Sequence, residues 1–85
     1  MPSITIYTKD WCPYCTAAKR LLDEKGASFT EIDIEAKPEF RAEMIQKAGG
    51  RTSVPQIFIG DRHVGGCDDI YALDARDELE ALLRA

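Results

Sequence analysis

Two cysteines separated by two residues stand where an alternating stretch of the chain gives way to one with helical periodicity. Before them, residues 4–8 alternate apolar and polar side chains, which is the pattern of a β-strand. After them, apolar side chains recur at helical spacing, and Pro13 suits the first helical position because the N–H it lacks would have no partner there. The sequence therefore predicts that Cys12 caps a helix and that Cys15 lies in its first turn.

This position gives Cys12 the chemistry of a nucleophile. Unpaired backbone N–H groups and the positive end of the helix dipole favour a thiolate at a helix N-terminus. A stabilised thiolate also leaves readily when a second thiol attacks the mixed disulfide, which repeated turnover requires. We therefore predict that Cys12 is the nucleophile of a thiol–disulfide exchange cycle.

Two other uses of this Cys-x-x-Cys pair are weaker interpretations. A structural zinc site needs four ligands, and the remaining candidates, His63 and Cys67, have a spacing unlike familiar zinc sites. A structural disulfide between Cys12 and Cys15 would close so short a loop that it would add little stability. We therefore predict no metal ligands, and we expect His63 to be an ordinary surface residue of a strand.

Length, charge and hydropathy limit the class of protein. The chain has 85 residues and ordinary hydrophobic content, so a single domain over residues 1–85 is expected. Its net charge of −4 disfavours nucleic-acid binding, which requires a basic face. No membrane-spanning segment is expected, and three cysteines without a signal-like leader predict a cytoplasmic protein with reduced thiols.

The order of the remaining elements predicts an α/β fold. The first helix is expected to end near Gly26, and residues 29–34 alternate again, so the first two strands should be parallel. A second helix, with one apolar stripe, is expected from Pro38 to the Gly49-Gly50 pair.

The C-terminal part predicts a hairpin and further helix. Residues 56–59 form a short, largely apolar run, which suggests a strand covered on both faces. Gly60-Asp61 then returns the chain as a tight turn. Gly65-Gly66 can adopt positive φ, and Asp68 or Asp69 is expected to cap a final helical region. The predicted architecture is a four-stranded mixed sheet flanked by three to four helices.

Three segments carry a resemblance to a known family. They are Cys12-Pro13-Tyr14-Cys15 after Tyr7-Thr8-Lys9, Val54-Pro55-Gln56-Ile57-Phe58-Ile59-Gly60, and Gly65-Gly66-Cys67-Asp68-Asp69. In this order they resemble the dithiol glutaredoxins of the thioredoxin superfamily. The resemblance implies a thioredoxin-like fold, glutathione as reductant, and reduction of protein disulfides and glutathionylated thiols. It also implies that Cys12 carries the glutathionyl group and that Cys15 is the resolving thiol.

The same resemblance implies a groove for glutathione beside Cys12. Its expected lining residues are Lys9, Tyr14, Arg41, Ser53, Val54, Pro55, Gly66, Cys67 and Asp68. The Val54–Pro55 bond is expected to be cis, with the Val54 backbone pairing with glutathione as an added strand. The helix start that follows Gly66 is expected to meet the γ-glutamyl carboxylate, and Lys9 and Arg41 the glycyl carboxylate.

Two departures from the family pattern, and two alternatives, accompany this interpretation. Ser53 stands where threonine is usual, and the bulky Trp11 precedes the nucleophile. One alternative is an iron–sulfur carrier in which two copies bridge a cluster through Cys12 and two glutathiones. The other is a redoxin reduced by thioredoxin reductase. The expected partners are glutathione and disulfide-containing or glutathionylated proteins, with ribonucleotide reductase as an implied client and the chain itself a monomer.

Overall fold

A four-stranded mixed sheet forms the centre of the computed structural model, which describes residues 2–84. The strands are β1 (Ile4–Thr8), β2 (Thr30–Asp33), β3 (Gln56–Ile59) and β4 (Arg62–Gly65), and the helices are α1 (Pro13–Glu24), α2 (Phe40–Lys47), α3 (Cys67–Ala75) and α4 (Leu79–Arg84). The strand order is β2-β1-β3-β4, with β1 parallel to β2 and antiparallel to β3, and β4 antiparallel to β3. This arrangement confirms the predicted fold class. Within residues 2–84, no helix is long and apolar enough to cross a membrane.

Side chains alternate along the strands and so divide the interior into two apolar cores. On one face of the sheet, Ile57 packs in a cluster with Leu22 of α1 and with α3 and α4. On the other face, Tyr7 and Phe58 meet edge to face, 5.8 Å between ring centroids, in a cluster with Met44 of α2. All residues of β3 are buried, which confirms the prediction of a strand covered on both faces.

Two element boundaries differ from the prediction. α2 begins at Phe40 and not at Pro38, because the chain first makes a turn in which the Phe40 N–H donates to the Lys37 carbonyl. β2 is shorter than residues 29–34. It ends at Asp33, whose carboxylate accepts hydrogen bonds from the backbone N–H groups two and three residues further on, at 2.8 and 3.1 Å.

The start of α3 also corrects the prediction. The N-cap is Gly66, in extended conformation, and neither Asp68 nor Asp69 takes that position. Asp69 instead caps from inside the helix, where its carboxylate accepts the Gly66 N–H at 2.8 Å. Of the two glycines only Gly65 has positive φ, at 117°. The final helical region is divided into α3 and α4 by a break at residues 76–78.

Candidate active site

The Cys12 sulfur lies at the N-terminus of α1, as the sequence predicts. Cys12 is the N-cap residue, Pro13 follows at the start of the helix, and the Cys15 N–H donates to Cys12 Sγ over 3.3 Å. The first turn of α1 contains no acidic side chain, so no carboxylate of that turn opposes the effect of the helix end on this sulfur. Although Cys12 is only 7% exposed, it lines open depressions on two sides.

The second thiol has a different environment. Cys15 is buried, and this burial, together with its hydrogen bond to Cys12, raises its pKa to about 12. The Cys15 thiol therefore stays protonated at neutral pH, and a protonated thiol is a poor nucleophile. Cys12 is the better placed of the two to react first.

Two adjacent depressions share Tyr14, Ser53 and Val54 and together form a groove beside Cys12. Their volumes are about 280 Å³ toward α3 and about 470 Å³ toward α2. Every residue that the sequence predicted for this groove lines one or both depressions: Lys9, Tyr14, Arg41, Ser53, Val54, Pro55, Gly66, Cys67 and Asp68. The fold thus gathers segments that lie far apart in sequence around one sulfur.

The backbone of Val54 borders the nucleophile directly. The Val54–Pro55 bond is cis, as expected, and the Val54 carbonyl oxygen lies 3.9 Å from Cys12 Sγ. On the exposed side, Trp11 and Tyr14 line the depression toward α2 with Cys12, and the two residues are 99% and 64% exposed. A ligand in the groove therefore meets a backbone edge on one wall and an accessible aromatic ring on the other.

Three charged residues line the groove without having been predicted there: Glu35 in the depression toward α2, and Arg51 and Asp69 in the depression toward α3. Arg51 and Asp69 both line the depression toward α3 and form an ion pair at 3.2 Å. The hydrogen bond from Gly66 N–H, and then Arg51, hold the pKa of the Asp69 carboxyl below its ordinary value. Arg51 follows a glycine pair in a loop and belongs to none of the three segments, so no sequence pattern indicates that it lies in the groove.

His63 and Cys67 are the remaining candidates. His63 is not an ordinary surface residue: it is half-buried, stacks on Phe58 with 4.9 Å between ring centroids, and has Nε2 2.7 Å from Gln56 Oε1. Cys67 is buried, and burial, followed by the nearby Asp68, raises the pKa of its thiol. Among residues 2–84, no three His, Cys, Asp or Glu side chains are grouped to hold a metal ion.

Two buried thiols at one helix start, of which Cys12 lines a groove beside a mixed α/β sheet, define a thiol oxidoreductase of the thioredoxin-like class. A model of the glutaredoxin family matches residues 4–64. The chain is 58% identical over 85 residues to a glutaredoxin of Pseudomonas aeruginosa, covering 100% of both chains. The chain therefore belongs to the glutaredoxin family, as its three segments predicted.

Solved structures agree with this assignment. The solution structure of a glutaredoxin from Brucella melitensis matches with a TM-score of 0.84 and 57% identity, over 98% of this chain and 89% of that one. The crystal structure of a buckwheat glutaredoxin–glutathione complex matches with a TM-score of 0.87 and 29% identity, over 98% of this chain and 77% of that one. The thioredoxin-like fold is thus confirmed.

Proposed function

We propose that this glutaredoxin uses glutathione to reduce glutathionylated thiols and protein disulfides. The observation that carries the proposal is a groove beside Cys12 with two cationic side chains toward α2 and a helix start toward α3. Lys9 and Arg41 lie in the depression toward α2, which Glu35 also lines, and the start of α3 lies in the other depression, where Arg51 pairs with Asp69. Glutathione is a short peptide with a carboxylate at each end and its thiol in the middle, so Lys9 and Arg41 can meet one carboxylate and the start of α3 the other.

The contacts of each part of glutathione follow from the groove. The Val54 backbone pairs with the cysteinyl part as an added strand, which brings the glutathione sulfur to Cys12. The glycyl carboxylate meets Lys9 and Arg41. The γ-glutamyl carboxylate meets the first amides of α3, those of Cys67 and Asp68, which have no acceptor inside the helix.

The reaction on a glutathionylated thiol is a pair of exchanges at Cys12. The Cys12 thiolate attacks the glutathione sulfur, the disulfide breaks, and the substrate leaves as a thiolate that takes up a proton. The glutathionyl group is then bound to Cys12. The thiolate of a second glutathione attacks the sulfur of that group, which releases glutathione disulfide and restores the Cys12 thiolate.

A protein disulfide requires Cys15 as well. Cys12 first forms a mixed disulfide with the target and releases one target thiolate. Cys15 then loses its proton and attacks Cys12 Sγ, which frees the second target thiolate and leaves a Cys12–Cys15 disulfide for two glutathiones to reduce. The raised pKa of Cys15 suits this order, because a thiol that stays protonated does not compete for the first attack.

Three expectations accompany this function. Glutathione as reductant is supported by the buckwheat relative, whose structure is a complex with glutathione. We propose a monomer working in the cytoplasm, where thiols are kept reduced. Ribonucleotide reductase is proposed as a client on the family resemblance.

The test is steady-state reduction of a small glutathione mixed disulfide, with glutathione, glutathione reductase and NADPH as the electron source. We expect turnover by the wild-type protein that disappears in Cys12→Ser. Turnover only with thioredoxin reductase would contradict the proposal, because the chain would then be a glutaredoxin in fold but not in reductant.

A further inference from the structure

We infer that His63 and Gln56 are positioning residues that orient the Ser53–Val54 peptide toward the groove. The inference rests on the proposed glutathione site and adds two residues behind its wall. It is carried by three contacts: His63 Nε2 lies 2.7 Å from Gln56 Oε1, and Gln56 Nε2 lies 3.0 Å from the Ser53 carbonyl oxygen and 3.3 Å from Ser53 Oγ.

The chemistry of these atoms fixes the direction of each hydrogen bond. The Ser53 carbonyl can only accept, so Gln56 must turn its NH₂ group toward it and its Oε1 toward His63. Because Oε1 also only accepts, His63 Nε2 must carry a proton. Burial, and then the charge of Arg51, lower the pKa of His63 against the opposing effect of Asp69, so the ring is neutral at pH 7 and protonated at Nε2.

The geometry of the Ser53–Val54 peptide links these hydrogen bonds to the groove. Among residues 2–84 the cis bond is Val54–Pro55, so the Ser53–Val54 peptide is trans, and its C=O and N–H point in opposite directions. Gln56 is fully buried and holds the Ser53 C=O inward. The Val54 N–H therefore points outward, into the groove that Ser53 and Val54 line. That N–H is the donor that an extended peptide ligand needs for strand-like pairing.

The same Gln56 amide also orients the Ser53 hydroxyl. The second hydrogen of the Gln56 NH₂ group goes to Ser53 Oγ, which leaves the hydroxyl hydrogen free to be donated to a ligand oxygen in the groove. If His63 loses its donor, the buried Oε1 of Gln56 is left without a partner, and unpaired buried polar groups are costly. Rotation of the Gln56 amide then becomes favourable. The two groups that donate to the ligand, the Val54 N–H and the Ser53 hydroxyl, lose their fixed direction.

The first test needs no ligand. Nitrogen-15 NMR of the wild-type imidazole at pH 7 is expected to show His63 as the Nε2–H tautomer, with slow exchange of the Gln56 side-chain amide protons. A His63 ring protonated at Nδ1 alone would overturn the inference. This measurement tests the contacts among His63, Gln56 and Ser53 even if the protein proves not to use glutathione.

The second test uses kinetics with glutathione. His63→Leu removes the donor, and we expect the KM for glutathione to rise about three- to tenfold, the range of one hydrogen bond, with kcat and the rate of Cys12 alkylation unchanged. His63→Gln restores an N–H donor and is expected to recover the wild-type KM to within about twofold. Arg62→Leu, at the exposed neighbouring position of β4, is the matched control.

A double variant separates positioning from general damage. His63→Leu combined with Gln56→Leu is expected to raise the KM no further than Gln56→Leu alone, because both changes break one chain of contacts. Equal losses in His63→Leu and His63→Gln, or a fall in kcat with the KM unchanged, would contradict a positioning role. Absence of glutathione turnover in the wild type would instead refute the proposed function and leave the NMR test standing.

Discussion

Two helices begin at the groove, and their N-termini have opposite electrostatic environments. α1 starts at Cys12 with no acidic residue in its first turn, and a backbone N–H of that turn donates to the cysteine sulfur. α3 carries Asp68 and Asp69 in its first turn, and Asp69 accepts the Gly66 N–H and pairs with Arg51. Both helix ends favour negative charge, but only α3 has a permanent one.

The two helix N-termini differ because α1 faces the Cys12 sulfur, whereas α3 faces the Asp69 carboxylate. A helix N-terminus stabilises a nearby anion by about 0.3–1 kcal/mol, an effect that falls off within the first turn. The first turn of α1 carries no carboxylate of its own, so the helix end acts on a sulfur whose charge is lost and regained during exchange. At α3 a fixed carboxylate holds the loop in place and leaves the next amides of the helix for a ligand.

The largest effect is expected where the α1 end meets the sulfur. Cys12→Ser should abolish both reactions, because a serine hydroxyl is not ionised near neutral pH and cannot form the mixed disulfide. Cys15→Ser should keep reduction of a glutathione mixed disulfide and lose reduction of a protein disulfide. The two variants are compared in both assays. Loss of the glutathionyl reaction in Cys15→Ser would refute the division of roles.

A second change displaces the carboxylate from the α3 end. Gly65 has a φ of 117°, and a Cβ there would overlap the Asp69 carboxylate, so Gly65→Ala should lower the free energy of unfolding by about 3 kcal/mol. Gly60→Ala is the control, since φ is also positive, at 59°, but the nearest atom is in ordinary contact at 3.8 Å. It should cost about 1 kcal/mol. Urea unfolding measures both, and equal losses would show that the carboxylate is unimportant.

A third change makes α1 resemble α3. Thr16 is exposed and lies one turn after Cys12, so Thr16→Asp places a carboxylate near the sulfur and should disfavour its thiolate. We expect alkylation of Cys12 at pH 7 to slow about two- to fivefold relative to Thr16→Asn, which has the same shape without the charge. The rate is measured with iodoacetamide at low salt. Identical rates in the two variants would show that a carboxylate in the first turn of α1 has no influence on this sulfur.

The smallest effect is expected from removing the charge at α3. Because the pKa of Asp69 is lowered in the folded protein, its carboxylate stabilises the fold above the unfolded pKa near 4, and this contribution disappears as the pH falls through the folded pKa. Asp69→Asn should therefore be less stable than wild type at pH 7, by about 0.5 kcal/mol for so exposed a pair, and this difference should shrink as the pH falls below the unfolded pKa.

The matched control for this titration is Asp68→Asn in the same turn of α3. The stability difference between wild type and Asp68→Asn should change less with pH, because this variant keeps Asp69, which receives the Gly66 N–H and the Arg51 side chain. Urea unfolding from pH 2 to pH 7 gives the comparison. A stability difference between wild type and Asp69→Asn that persists unchanged at pH 2 would contradict an origin in the carboxylate charge.

The sequence by itself predicted the elements that depend on neighbours along the chain. Cys12 caps α1 because Pro13 and the apolar spacing that follows start a helix there. β3 is buried on both faces because it has almost no polar residue, and the Gly60-Asp61 pair turns the chain into β4. These outcomes rest on local periodicity and turn chemistry, which can be read without knowing the fold.

The tertiary structure decided the contacts between segments that are distant in sequence and those that depend on the register of paired strands. Arg51 and Asp69 meet because a loop passes the start of α3, and no spacing in the sequence indicates this. His63 reaches Gln56 because of the register of β3 and β4, where pairing shifts between Ile57 and Phe58. A shift of one residue in this register reverses the face of the sheet on which a side chain lies. The register is settled only when the whole sheet packs.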